Sequence, residues 1–197
     1  MSRKLTERLI RKKRVYSGHA VNFSVDSIRL PNGNRAVREY TDHPGAAAVV
    51  PFTSDGEVVL VRQFRYPIGR VTIEIPAGKL DGGELPLRCA KRELTEETGF
   101  TAGRIRRLTT FWPAPAFSNE TLYIFVADRL RRGCVRLDED EFVEVVRVHF
   151  QKALDWVVSG KIKDSKTIIG LQACALAGYG SKRMRPPGAG RSAVRAR

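Results

Sequence analysis

Apolar and polar positions along the chain change their period near residue 85. Before it, the spacing is that of strands. From about residue 18 to 30 the two kinds of side chain alternate, and the run closes in Pro31-Asn32-Gly33, a strand-then-turn pattern. Two further runs, AAAVVPF (46 to 52) and EVVLVRQFRYP (57 to 67), flank the turn TSDG and predict a second strand pair. VTIEIPAG (71 to 78) predicts a short strand stopped by Pro76 and Gly78. From Leu85 to Thr98 the three- and four-residue rule takes over, placing Leu87, Ala90 and Leu94 on one helical stripe, with Pro86 suited to the first turn and Gly99 to the cap. LYIFVADRL (122 to 130) and FVEVVRVHF (142 to 150) are β-branched and aromatic, hence strands. Helices are predicted over 151 to 160 and 164 to 180, the second capped by Asp164 or Ser165. This succession, with no internal repeat, predicts one main α/β core: a mixed sheet flanked by helices.

Charge refines that division. The formal net charge is +14, but residues 1 to 14 hold seven Lys or Arg against one Glu, and residues 182 to 197 hold six with no acid. Only about two positive charges are left for residues 15 to 181, so the body is nearly balanced. Residues 182 to 197 are rich in Pro, Gly and Arg and predict a disordered basic tail. Residues 1 to 14, with Leu5, Leu9 and Ile10 at helix-like spacing, predict a short solvated helix or frayed basic arm without a signal-peptide progression. Weak nucleic-acid binding is expected, if at all, from these ends. Cys89, Cys134 and Cys174 are odd in number and widely spaced, which fits a reducing cytoplasm better than a disulfide framework or zinc site. No apolar run approaches the ~18 residues of a membrane span, so no membrane partner is expected.

The predicted helix ends in RELTEETG, which crowds Glu93, Glu96 and Glu97 into its last two turns. A helix C-terminus carries partial negative charge and repels such groups. At ~100° per residue Glu93 and Glu97 share a face at the edge of the apolar stripe, half-buried, while Glu96 lies further round within reach of Arg92. A solvated acidic face is the ordinary reading of a glutamate-rich helix. The other reading is that a hard cation, Mg²⁺ or Mn²⁺, offsets the mutual repulsion of these carboxylates and the unfavourable dipole.

The longer stretch GKLDGGELPLRCAKRELTEETGF resembles the Nudix box at every defining position. The stretches HPGAAAVVPF, VRQFRYPIG, EIPAGKLDGGE, PAPAFSNE and DWVVSGKIKDSKTI extend the likeness over about residues 15 to 180, and it resembles the ADP-ribose or ADP-sugar pyrophosphatase branch. Pro115 falls where that branch carries a downstream proline; the chain departs at Ala116, where the branch usually has glycine. The resemblance implies a Nudix α/β/α sandwich over 46 to 181, with an N-terminal antiparallel β-region (15 to 45) helping to form a homodimer. It implies metal ligation by Glu93 and Glu97, with Glu96 in support and the Ala77 backbone carbonyl completing the sphere. Arg92 would orient a glutamate, and Glu84 would hold the loop or a metal-bound water. The general base would come from the acidic run after the box, Glu139 first and Glu141 second. Arg65 would grip the diphosphate or ribose, Arg38 and Glu39 would reach substrate across the dimer, and Phe117 and Ser118 would line the loop over the sugar.

The expected reaction is Mg²⁺-dependent hydrolysis of a nucleoside diphosphate sugar, foremost ADP-ribose to AMP and ribose 5-phosphate. Two alternatives stand beside it. Another nucleotide sugar, such as GDP-mannose or ADP-glucose, could be the substrate; or the fold could bind a nucleotide without cleaving it, which the intact set of acids argues against.

Overall fold

The computed structural model describes residues 4 to 19, 21 to 133 and 142 to 180. Four strands come first: β1 (Arg8–Arg11), β2 (Arg14–Ser17), β3 (Asn22–Arg29) and β4 (Arg35–Asp42). There follow β5 (Ala46–Pro51), β6 (Glu57–Arg65), β7 (Arg70–Glu74), β8 (Ala77–Lys79), α1 (Pro86–Thr98), β9 (Phe100–Phe111), β10 (Leu122–Arg132), β11 (Val143–His149), α2 (Phe150–Val158) and α3 (Ser165–Leu176).

β5 organises the body. It is buried at all six residues because it lies inside a mixed sheet ordered β8-β5-β10-β9, with helices on both faces. Ala48 and Val50 face Ile124 and Leu171 of the α3 side, whereas Ala47 and Val49 face Cys89, Ala90 and Leu94 of α1. A strand covered twice reads as a continuous apolar run rather than an alternation. β10 runs parallel to β5, and β8 and β9 run antiparallel to their neighbours. A second, antiparallel sheet is ordered β11-β6-β7. The architecture is thus the mixed α/β fold expected, with the N-terminal strands forming an antiparallel sheet of their own.

Four expectations are corrected. Residues 8 to 11 are a strand, neither a helix nor a frayed arm, and with residues 14 to 17 they line one edge of β3, Leu9 opposite Ile28 and Arg14 opposite Ser24. A helix so short is unstable alone, whereas the free edge of β3 supplies backbone partners. The runs at 46 to 52 and 57 to 67 do not form a hairpin. After one bridge, Phe52 to Val58, they part into different sheets, because β5 takes β8 and β10 as neighbours. The twelve-residue β9 is an addition to the expected strands; its Phe100, Ala102, Ile105, Leu108 and Phe111 keep no single period, whereas β4 falls within the expected N-terminal β-region. Finally, Leu87 is 40% exposed, and α1 buries Cys89, Ala90, Glu93, Leu94, Glu97 and Thr98. At ~100° per residue the centre of that arc falls near Glu97, so the glutamates lie within the packed face rather than at its rim.

Helix ends follow the sequence closely. Gly99 adopts φ +69 and its N–H closes on the Thr95 carbonyl at 2.9 Å, ending α1 just after Glu97. Asp164 caps α3 by accepting from the Thr167 N–H at 2.9 Å. Ala116 needs no glycine-like backbone: among the described non-glycine residues only Arg129 has positive φ. No helix among the described residues is long and apolar enough to cross a membrane.

Candidate active site

Two buried carboxylates of α1 lie against consecutive residues of β8. Glu93 is 7% exposed and Glu97 3%. Glu97 Oε2 accepts the Ala77 N–H at 3.2 Å. Glu93 packs onto Gly78 so closely that a Cβ built there would fall on its carboxylate. A side chain at position 78 would therefore have to displace the Glu93 carboxylate, whereas the backbone there needs no glycine. The cysteine one turn earlier completes the packing: Cys89 Sγ sits 3.4 Å from the carbonyls of Gly78 and Lys79, and burial, with Glu93 adding, pushes its thiol up to about 12.

Arg92 is the organising cation. Its guanidinium donates to Glu84 at 2.9 and 3.2 Å, to Glu93 Oε1 at 2.6 Å, to Glu96 Oε2 at 3.1 Å and to the Lys79 carbonyl at 3.1 Å. The hydrogen bonds to Glu84 are the main reason its own affinity for protons is raised, and they hold the Glu84 carboxyl below the usual range. Glu84, Glu93 and Glu96 thus converge on one guanidinium, and Glu97 lies one turn beyond Glu93 on the same face. Glu93 and Glu97 are nearly out of water. Carboxylate and carbonyl oxygens of this kind suit a hard divalent cation. Around Arg92 the carboxylates fan apart: among the described residues no group of three or more His, Cys, Asp or Glu converges as a metal cage. The donors that fit a hard cation by position are Glu93 and Glu97, one turn apart and anchored to adjacent residues of β8.

A second charged cluster borders the first. Arg65 forks onto Glu74 with bonds of 2.9 and 2.7 Å. Thr72 Oγ1 donates to the same carboxylate at 2.5 Å, Lys166 also binds it, and Lys166 reaches Asp164 at 2.9 Å. Burial alone would raise the Glu74 pKa; Arg65 and Lys166 outweigh it and hold the group at about 2. Arg65 in turn is raised, first by Glu74 and more weakly by Asp164 and Glu97, which places its guanidinium within the field of the glutamate pair. The sequence singled out Arg65 but not Glu74, Thr72, Asp164 or Lys166 as its partners. The available signal was a lone acid between Ile73 and Ile75, two apolar neighbours.

The other expected residues are distributed as follows. Arg38 and Glu39 stay on β4, where Arg38 pairs with Glu7. Phe117, 61% exposed, and Ser118 lie on the loop between β9 and β10, and Ser118 Oγ accepts the Glu120 N–H at 3.1 Å. Glu139 and Glu141 lie outside the described residues, as do Cys134 and the tail from 182 onward.

Comparison with known proteins supplies the family. Residues 42 to 166 match the NUDIX domain family. The chain is 43% identical over 170 residues to an ADP-ribose pyrophosphatase of Bacillus subtilis (strain 168), covering 85% of this chain and 92% of the relative. It is 39% identical over 174 residues to a methanol dehydrogenase activator of Bacillus methanolicus, covering 87% and 94%. A GDP-mannose pyrophosphatase of Enterobacter sp. (strain 638) is 34% identical over 155 residues, covering 73% and 80%. Among solved structures, one described as an ADP compounds hydrolase superposes with a TM-score of 0.78 at 23% identity, over 91% of this chain and 98% of that one, and so shares the fold. With the box residues gathered around Arg92 and the domain matched over most of the body, the chain belongs to the Nudix family.

Proposed function

We propose that the protein hydrolyses the pyrophosphate bond of a nucleoside diphosphate sugar, with ADP-ribose giving AMP and ribose 5-phosphate. The observation that carries this is the buried Glu93–Glu97 pair on Ala77 and Gly78, two hard oxygen donors side by side that suit a divalent cation shared with phosphate oxygens. The 43% identical relative, named for that activity, supports the choice of substrate.

Glu93 and Glu97 would hold Mg²⁺, with Mn²⁺ able to replace it, Glu96 in support and the Ala77 carbonyl as a further donor. Bound there, the ion neutralises diphosphate charge and lowers the pKa of an attacking water. Arg92 keeps Glu93, Glu96 and Glu84 aimed. Arg65, preorganised by Glu74, presents its guanidinium to the diphosphate or ribose, a geometry that suits bidentate recognition. Glu139, or Glu141, takes the proton of the water. Phe117 and Ser118 cover the sugar. The enzyme would act in the cytoplasm as a homodimer in which Arg38 and Glu39 serve the partner's site. Exposed Val15, Tyr16, Phe23 and Val37 on the N-terminal sheet supply apolar surface for that contact.

The test is a turnover panel of ADP-ribose, ADP-glucose and GDP-mannose at matched Mg²⁺. The expected result is the highest kcat/KM for ADP-ribose, with AMP as a product. A higher value for GDP-mannose would move the substrate to that sugar, in line with the 34% identical relative. Silence across the panel would overturn the catalytic reading in favour of nucleotide binding.

A further inference from the structure

The loop bearing Phe117 and Ser118 is attached to the N-terminal sheet by a short polar network, separate from the carboxylates around Arg92. The turn itself is closed by the N–H groups of Phe117 and Ser118, both on the Ala114 carbonyl at 3.1 and 2.9 Å. Its far side meets the end of β4: Thr41 N–H donates to the Phe117 carbonyl at 2.9 Å, and Asn119 N–H to the Thr41 carbonyl at 3.4 Å. The Asn119 side chain then uses both halves of its amide. Oδ1 accepts the His43 N–H at 2.8 Å, and Nδ2 donates to Asp42 Oδ1 at 2.7 Å. A backbone N–H only donates and a carboxylate only accepts, so the partners fix which way the amide points. Asp42 is held below its ordinary pKa, chiefly by Asn119, and its second oxygen accepts from Arg14 of β2. A continuous polar chain thus runs from β2 through Asp42 to the loop.

We propose that Asn119 and Asp42 are positioning residues that hold Phe117 and Ser118 at a fixed height over the sugar end of the substrate, and so set substrate affinity. This rests on the reading of Phe117 and Ser118 as substrate-lining residues. Phe117 itself is exposed, so its place depends on the backbone that carries it. A loop released from β4 is ordered again only at the expense of binding, which raises KM. Once substrate is seated, the Glu93–Glu97 chemistry is unchanged, so kcat is spared.

The test exploits the reciprocity of the pair. Asn119→Asp sets two carboxylates face to face. The double variant Asp42→Asn with Asn119→Asp restores the hydrogen bond with its polarity reversed: the amide now at position 42 donates to the carboxylate now at position 119. That carboxylate still accepts the His43 N–H, and the amide oxygen at position 42 still accepts from Arg14. Asn119→Asp is expected to raise KM for ADP-ribose about tenfold, as for loss of one hydrogen bond to a charged group, with kcat within about twofold. The reciprocal variant is expected to recover most of that loss. Hydrogen exchange over residues 112 to 121 is expected to quicken in the single variant and slow again in the double. Unchanged KM despite faster exchange, or a KM that the double variant fails to recover, would overturn the proposal. If the unaltered protein turns over no nucleotide sugar, the catalytic reading fails and the affinity claim with it, while unchanged exchange in Asn119→Asp would separately show that the clamp does not hold the loop.

Discussion

At the scale of single residues, the site depends on a glycine and on a buried acid. Gly78 is the floor on which the Glu93 carboxylate rests. Gly78→Ala is expected to displace that carboxylate and lower kcat/KM by at least about a hundredfold, with Mg²⁺ affinity falling in parallel and the circular dichroism unchanged. Wild-type activity in that variant would remove Glu93 from the site. Glu74 makes a prediction about acid. Its pKa is depressed from 4.5 to about 2, so its contribution is fully present above pH 4.5 and is lost as pH falls through about 2. The shift corresponds to roughly 3 kcal/mol. Urea unfolding midpoints measured from pH 6 down to pH 2.5 should show that loss in the wild type; Glu74→Gln should be weaker at pH 6 and lack this part of the acid sensitivity. Residues of these two kinds were unequally visible in the sequence. The Nudix-box glutamates stand at fixed spacing and announce themselves; Glu74, Asp164 and Lys166 come together from separate stretches of the chain, and no local period relates them.

At the scale of elements, the chain was clearest where one physical pattern acted alone. The helix at 86 to 98, its glycine cap and the Asp164 cap all lie where capping chemistry placed them. Gly99→Ala tests that level directly. Its φ of +69 strains any side chain, and about 1 kcal/mol of stability should be lost, read as a lowered Tm. β9 was obscure for a definite reason: its apolar residues change parity where its pairing with β10 shifts register, which the partner strand and not the local sequence decides. The error at the N-terminus has the same root. Leu5, Leu9 and Ile10 fit helical spacing, but the open edge of β3, invisible to any local window, decided the outcome. The helical wheel for α1 was displaced because Leu87, in its first turn, stays exposed while Glu97 packs on β8. That displacement strengthens the functional reading, since a buried glutamate is harder to explain as a solvated face.

At the scale of the whole molecule, a twice-covered strand carries a helix that brings two carboxylates inward, and an N-terminal sheet is attached through Asp42, His43 and Asn119. The dimer proposed from the exposed N-terminal side chains should appear in sedimentation as twice the 22.0 kDa chain mass. Val37→Arg should shift it toward the monomer and lower activity, through removal of Arg38 and Glu39 from the partner's site. The central claim is that Glu93 and Glu97 form a cation-dependent centre that cleaves a diphosphate. The most direct measurement is the product of purified protein acting on ADP-ribose with Mg²⁺, beside a metal-free sample and Glu97→Gln, resolved by chromatography. AMP and ribose 5-phosphate, lost without metal and reduced at least about a hundredfold in Glu97→Gln, are the predicted result. Equal turnover by wild type and Glu97→Gln, or turnover that persists without any divalent ion, would contradict it.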